Sequence, residues 1–190
     1  MSNSLKKIAI AGLLVSFLAG CGVSNTAMPL SPDTTPVVED TDINEVVEAN
    51  GVHKYKIVAI QGIGDVYAKK LNDNAVKYTD DYLKFTAKRN DRLKFAEKTG
   101  ISSKLLLTWA NAIDLMNVKG VGPKQSNWLH AVGVDSIKEL VKRRADNLHQ
   151  RLELANNIDP KRKFVRRMVS LATVQTWIDS SKIVAPMVQE

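Results

Sequence analysis

The chain has 190 residues, a formal charge of +7, six per cent aromatic residues and a single cysteine. One cysteine excludes an intrachain disulfide and a thiolate-rich zinc site, and the roughly 135 residues left after a leader and a linker are set aside suffice for one compact domain with one core. The charge is unevenly divided: from Val52 onward there are 25 Lys plus Arg against 14 Asp plus Glu, a surplus of 11, whereas residues 22–51 hold six acids and no base, so the natural counterparts of the body are anionic, whether nucleic acid, acidic polymer or lipid headgroup.

Residues 1–20 read as a secretory signal. Lys6 and Lys7 precede an apolar run from Ile8 to Leu18, which is too short to span a bilayer comfortably, since that takes about 20 residues. Leu18-Ala19-Gly20-Cys21 resembles the lipobox of bacterial lipoproteins. The resemblance implies a diacylglycerol thioether on Cys21, cleavage before it, and export to a membrane-anchored position. Gly22 in place of Asp at the next position implies the periplasmic face of the outer membrane if the cell is Gram-negative. Two or three acyl chains would anchor the protein firmly where one holds only marginally. Residues 21–51 are rich in Ser, Thr, Pro and acids and are expected to form a flexible acidic linker. Within it, Asp42 and Glu45 ahead of Val46 and Val47 predict a short capped helix ending near Gly51.

The apolar residues beyond the linker fall mostly at helical spacing, which predicts an all-α fold, a compact bundle of short helices over residues 52–185. It contains an internal repeat. Ile60, Gly62, Ile63, Gly64, Ala68, Leu71 and Val76 fall on Val118, Gly120, Val121, Gly122, Ser126, Leu129 and Val134 at one constant offset. The pattern resembles the helix-hairpin-helix motif. The two glycines are expected to make a tight reversal with positive φ and to leave room for a phosphate. Ile63 or Val121 plugs the gap between helices, and Ala68 or Ser126 lets them pack closely. The start of the next helix points N–H groups outward as an anion site. In the second copy Pro123 presets the first turn, Lys124 adds a cation and Gln125 follows. In the first, Asp65 and Val66 stand in those places, and Asp65 would repel a phosphate. The phosphate-binding candidates of the hairpins are thus Gly120, Val121, Gly122, Lys124 and Gln125, then Gly62 and Gly64; the alternative is that both hairpins are plain helix joints.

Between the copies, Tyr82, Leu83, Leu93, Phe95 and Ala96 are the apolar positions of two short helices, with Gly100 as a stop. Leu105, Leu106, Trp109, Ala112, Ile113 and Met116 form one face of a helix capped by Ser102 or Ser103. After the second copy, Ile137, Leu140, Val141, Leu148, Leu152 and Leu154 are expected to face inward. The cations Lys142, Arg143 and Arg144, then Lys161, Arg162, Lys163, Arg166 and Arg167, are either a track for a polyanion backbone or a solvated face. A last helix is predicted from Ser170 through Leu171, Val174, Trp177 and Ile178 to about Val184, and residues 186–190 are expected to fray.

His53, His130 and His149 stand apart from one another, and no nucleophile elbow, Walker loop or dinucleotide signature occurs. No enzyme, metal, cofactor or small-molecule substrate is therefore expected. The order of hairpin, "AEKTGISSKLLLTWANAIDLMNVKGVG", "DSIKELVKRRADNLHQRL" and "VRRMVSLATVQTWI" looks like a bacterial domain family of unknown function built from two helix-hairpin-helix units, alongside DNA-binding relatives. The motif family sometimes holds a monovalent cation on its hairpin carbonyls, which nothing in these residues indicates. Two functions stay open: a lipid-anchored module that holds nucleic acid non-specifically through its phosphates, or an interaction protein that docks an envelope protein or polymer.

Overall fold

The computed structural model describes residues 45–47, 53–158 and 164–189; the signal segment, Cys21, most of the acidic linker and Lys161, Arg162 and Lys163 lie outside them. Two three-residue strands, β1 (Glu45–Val47) and β2 (His53–Tyr55), pair antiparallel with Val46 opposite Lys54. A 3-10 turn (Ile57–Ala59) leads into eight helices among the described residues: α1 (Asp65–Asn72), α2 (Thr79–Thr86), α3 (Arg89–Thr99), α4 (Ser103–Leu115), α5 (Pro123–Ala131), α6 (Ile137–Leu140), α7 (Ala145–Ile158) and α8 (Leu171–Ser181). The chain is therefore mostly helical.

The strands replace the short helix expected over residues 42–51. A helix that short is marginal without tertiary support, whereas the β-branched Val46 and Val47 suit a paired strand. The hairpin is tied to the body where the Tyr55 N–H donates to the Thr79 hydroxyl at 3.2 Å and Lys56 bridges to Tyr78. The linker thus gives way to paired chain at Glu45, before its expected end.

The repeat seen in the sequence extends to the whole body: α1 to α4 are repeated as α5 to α8. Each matched apolar pair is buried: Ile60 and Val118, Ile63 and Val121, Leu71 and Leu129, Val76 and Val134. The backbone bonds match too. Ile63 N donates to Ile60 O as Val121 N does to Val118 O, and Val76 N to Leu71 O as Val134 N does to Leu129 O. Ala75 takes a left-handed φ of 64° at the position where the second copy has Gly133 at 75°. The last helix of each half begins on a serine whose hydroxyl accepts from the third residue on, Ser102 from Leu105 N and Ser170 from Thr173 N. Each then carries a buried tryptophan seven residues past its cap, Trp109 and Trp177.

The expected single core is two. One cluster gathers Ile57, Ile63, Leu71, Tyr82, Phe95, Leu106 and Trp109; the other gathers Val121, Trp128, Leu129, Leu140, Leu152, Val174 and Trp177. Each repeat folds around its own bulky residues because short helices reach only their immediate neighbours. Two residues expected to face inward, Val141 and Leu154, are exposed, as are the apolar positions Leu93 and Leu171. Leu154 illustrates the reason, since Leu148 and Leu152 share a helical face four residues apart and Leu154, two further on, turns to the far side.

The end of the chain, expected to fray, is held. Met187 N donates to both oxygens of the buried Asp114 carboxylate at 3.2 Å, and Val188 N donates to its Oδ2. Gln189 N donates to Ala87 O, Arg92 Nη2 donates to Gln189 O at 2.7 Å, and Val188 joins the first core. A buried acid and a buried arginine need partners, and this strap supplies them.

Candidate functional site

The two glycine turns are the features that the sequence marks for phosphate contact. Gly62 and Gly120 have φ of 90° and 82°, the conformation that favours glycine. Gly64 and Gly122 do not share it. They are extended residues capping α1 and α5, with φ of −81° and −99°, so the reversal needs one positive φ and not two. A Cβ on Gly62 would lie 3.0 Å from Trp109 Nε1, and one on Gly120 would lie 3.1 Å from Trp177 Nε1. Each half thus stacks the indole of its last helix on its own first turn, and the turns are glycine because a tryptophan edge occupies the space of a side chain.

Around this frame the two copies differ. α1 opens on the exposed Asp65. α5 opens on Pro123, which has no N–H, followed by the exposed Lys124, and its first turn carries no acid. Gln125 reaches back so that its Oε1 accepts from Gly122 N at 3.2 Å. Val121 is buried as the plug while Gly120 and Lys119 face solvent. Two residues here escaped the sequence reading: Lys119, a second exposed cation beside the turn, and Tyr55 from β2, whose hydroxyl oxygen lies 3.2 Å from the place of a Gly122 Cβ. Lys119 was legible as a neighbour in "VKGVG"; nothing local could place Tyr55.

Arg143 and Arg144 are engaged away from the turns. Arg143 donates through Nη2 to Gly133 O and lies 3.6 Å from Glu139, and Arg144 pairs with Asp146 at 2.8 Å. Gly133 follows the C-terminal end of α5, and Lys124 sits at the other end of that helix, about 13 Å away for nine residues. Arg143 and Arg144 line instead a groove of about 430 Å³ between the α6–α7 junction and α8, bordered by Lys182. Lys142, Arg166 and Arg167 are exposed, the last two in the connection between α7 and α8.

The acids follow their surroundings. The Arg144 hydrogen bond holds Asp146 below the ordinary carboxylate range, and the Lys182 bond does the same for Asp179. Burial pushes Asp114 up, against the N–H groups of Met187 and Val188 that donate to its carboxylate and favour its charge. Burial likewise lowers Arg92 and raises the Tyr82 phenol, whose hydroxyl donates to Leu106 O.

Among the described residues no group of His, Cys, Asp and Glu is arranged to hold a metal ion, and no helix is long and apolar enough to cross a membrane. A family model described as "Domain of unknown function (DUF4332)" matches residues 61–183. No curated protein and no solved structure matches the chain.

Proposed function

We propose that this chain, which belongs to the DUF4332 family of domains of unknown function, is a non-catalytic binding module of the cell envelope whose second glycine turn grips the phosphates of a nucleic-acid backbone without regard to sequence. In this reading the two turns are helix-hairpin-helix units, Cys21 carries the lipid anchor, and the acidic linker holds the body off the membrane. The observation that carries it is the contrast between the copies. Both halves keep the same turn, but only the second begins its helix with Pro123 and Lys124, free of acid in its first turn, beside the exposed Lys119. A helix start with that dipole and two cations suits a phosphate.

The test is a gel-shift titration of the full chain against random-sequence duplex at two salt concentrations. Binding should fall steeply with salt, and Lys124→Glu should weaken it on every sequence while lowering the salt slope by about 0.9. Absence of binding at low salt would refute the reading. Mass spectrometry of the mature amino terminus tests the anchor, which requires a diacylglyceryl group on Cys21.

A second reading is an interaction lipoprotein in which the turns are only helix joints. What favours it is the engagement of Arg143 and Arg144 with Gly133, Glu139 and Asp146 inside the fold, together with Asp65 at the first turn. Recovery of a stoichiometric protein partner from membranes, with no retained duplex, would place this reading first.

A further inference from the structure

The first repeat carries a strap over one of its grooves, and the corresponding groove of the second repeat is open. Residues 187–189 cross from the end of α4 to the α2–α3 junction. Asp114 accepts the N–H groups of Met187 and Val188, Gln189 N donates to Ala87 O, and Arg92 closes the far end on Gln189 O. One apolar side chain, Val188, enters the core between these fixed points.

In the second repeat the same elements, the α6–α7 junction and the last helix, enclose the groove of about 430 Å³. Its floor is Val141, Leu171 and Ile178, and its cations are Arg143, Arg144 and Lys182, against one lining acid, Asp146. Leu171, Gln175, Ile178 and Lys182 follow one another at spacings of four, three and four along a single face of α8. Lys182 is the twelfth residue past the Ser170 cap, as Asp114 is the twelfth past Ser102. The acceptor of the filled groove is therefore a donor in the open one. Val141 and Leu171 are 37% and 49% exposed, which is apolar surface that a bound segment would cover. Arg143 Nε is buried with no acceptor among the described residues.

We infer that the groove between the α6–α7 junction and α8 binds an extended acidic segment of a partner protein, with one apolar side chain on Val141, Leu171 and Ile178 and carboxylates on Lys182 and on Arg143 with Arg144. The filled groove shows what this architecture takes, an extended chain with an apolar residue between polar anchors; the exchange of Asp114 for Lys182 turns the one acceptor side chain into a donor, so that all the side-chain anchors are cations. The exposed pairs of Arg144 with Asp146 and of Lys182 with Asp179, each at 2.8 Å, oppose this little, since such pairs contribute little to stability and exchange readily for an incoming carboxylate. A peptide is favoured over a polynucleotide because an apolar floor gives nothing to a phosphate.

The experiment is fluorescence anisotropy of the full chain with a labelled, end-blocked peptide Glu-Asp-Val-Val-Glu-Asp, and with its counterpart carrying lysine at every acidic position. The acidic peptide should bind saturably and the basic one should not. Lys182→Glu, which reverses the anchor, and Gln175→Trp, which plugs the groove, should each weaken binding by about fivefold or more, while Lys98→Glu, exposed on α3, should stay within about twofold. No saturable binding, or equal binding by Lys182→Glu and Gln175→Trp with circular dichroism unchanged, would overturn the inference. So would random duplex whose binding is lost in Gln175→Trp while the peptide never binds, for the groove would then serve a polynucleotide. The outcome is separate from that of Lys124→Glu on duplex, because Lys124 does not line the groove.

Discussion

Replacing Gly120 with alanine tests the stacking of each half's tryptophan on its own turn. Two costs add. A non-glycine residue held in the left-handed region loses about 1–2 kcal/mol, and Gly120 sits there at φ 82°. The new Cβ also meets Trp177 Nε1 at 3.1 Å, and Trp177 is 1% exposed in a filled core, where overpacking costs about 1–3 kcal/mol. The sum is about 2–5 kcal/mol, centred on about 3.5, a large share of the roughly 5–15 kcal/mol that a domain has. Gly62→Ala should behave alike, since its Cβ would lie 3.0 Å from Trp109 Nε1. Gly64→Ala is the control: its φ is −81° and its Cβ would meet nothing within 4 Å, so the gain of about 0.4–1 kcal/mol through the unfolded chain is offset by alanine's poorer capping of α1, and stability should change by less than about 1 kcal/mol. Urea unfolding followed by circular dichroism separates the outcomes, with a midpoint drop of about 1–3 M for Gly120→Ala at an unchanged slope. Placed on Trp177→Phe, which removes the crowding nitrogen, Gly120→Ala should cost only the backbone share of about 1–2 kcal/mol. Equal midpoints for Gly120→Ala and Gly64→Ala would refute the reasoning.

Deleting residues 187–190 should cost about 3–4 kcal/mol, because it leaves Arg92 and Asp114 buried without the strap's partners and uncovers the place of Val188; an unchanged urea midpoint would count against the strap. Stability should also depend on pH through Asp114. Burial raises its folded-state value above the ordinary 3.8, so the folded chain keeps that proton longer than the unfolded one; the contribution is fully present below about pH 3.8 and is lost as pH rises through the raised value. Unfolding midpoints of the parent and of Asp114→Asn should therefore show the parent losing ground to the variant as pH rises above about 3.8 and through the raised value, and a gap that does not change with pH would contradict the burial of that carboxyl.

The turns were legible because glycine marks them twice at one offset with the same hydrophobic neighbours. The pair of helices that follows each turn showed that the repeat is larger than the turn alone, but the match of the two last helices was not legible, although "LLTWA" and "VQTWI" carry it. The turns repeat at 58 residues, Gly62 to Gly120, and the tryptophans at 68, Trp109 to Trp177. The connection between α7 and α8 spans Asp159 to Ser170, against three residues, Gly100 to Ser102, between α3 and α4, and a constant-offset comparison breaks on that difference. The β-hairpin escaped for another reason. Strands of three residues are too short for alternation to show, and their pairing is decided by contacts such as Tyr55 to Thr79 that lie 24 residues apart. Charge runs showed where cations are and not which are engaged: Arg143 and Arg144 looked equivalent to Lys142 in the sequence, yet the fold gives the first two acceptors within itself.

The differences between the two halves share a direction. In the first, the polar capacity of the repeat is used internally: Arg92 and Asp114 are buried on the strap, and an acid stands at the helix start of the turn. In the second, Pro123 and Lys124 stand where Asp65 and Val66 do, the groove beside α8 is open, and a lysine takes the place of Asp114. Buried polar groups must find partners, so where the chain itself supplies them, as the strap does, the repeat has no remaining demand and serves as scaffold. Where it does not, as in the groove beside α8 with its cations and its exposed Val141 and Leu171, polar and apolar surface remains for another molecule. Both proposed sites, the turn for a phosphate and the groove for an acidic segment, therefore belong to the second repeat, and both call for a partner of the same negative sign.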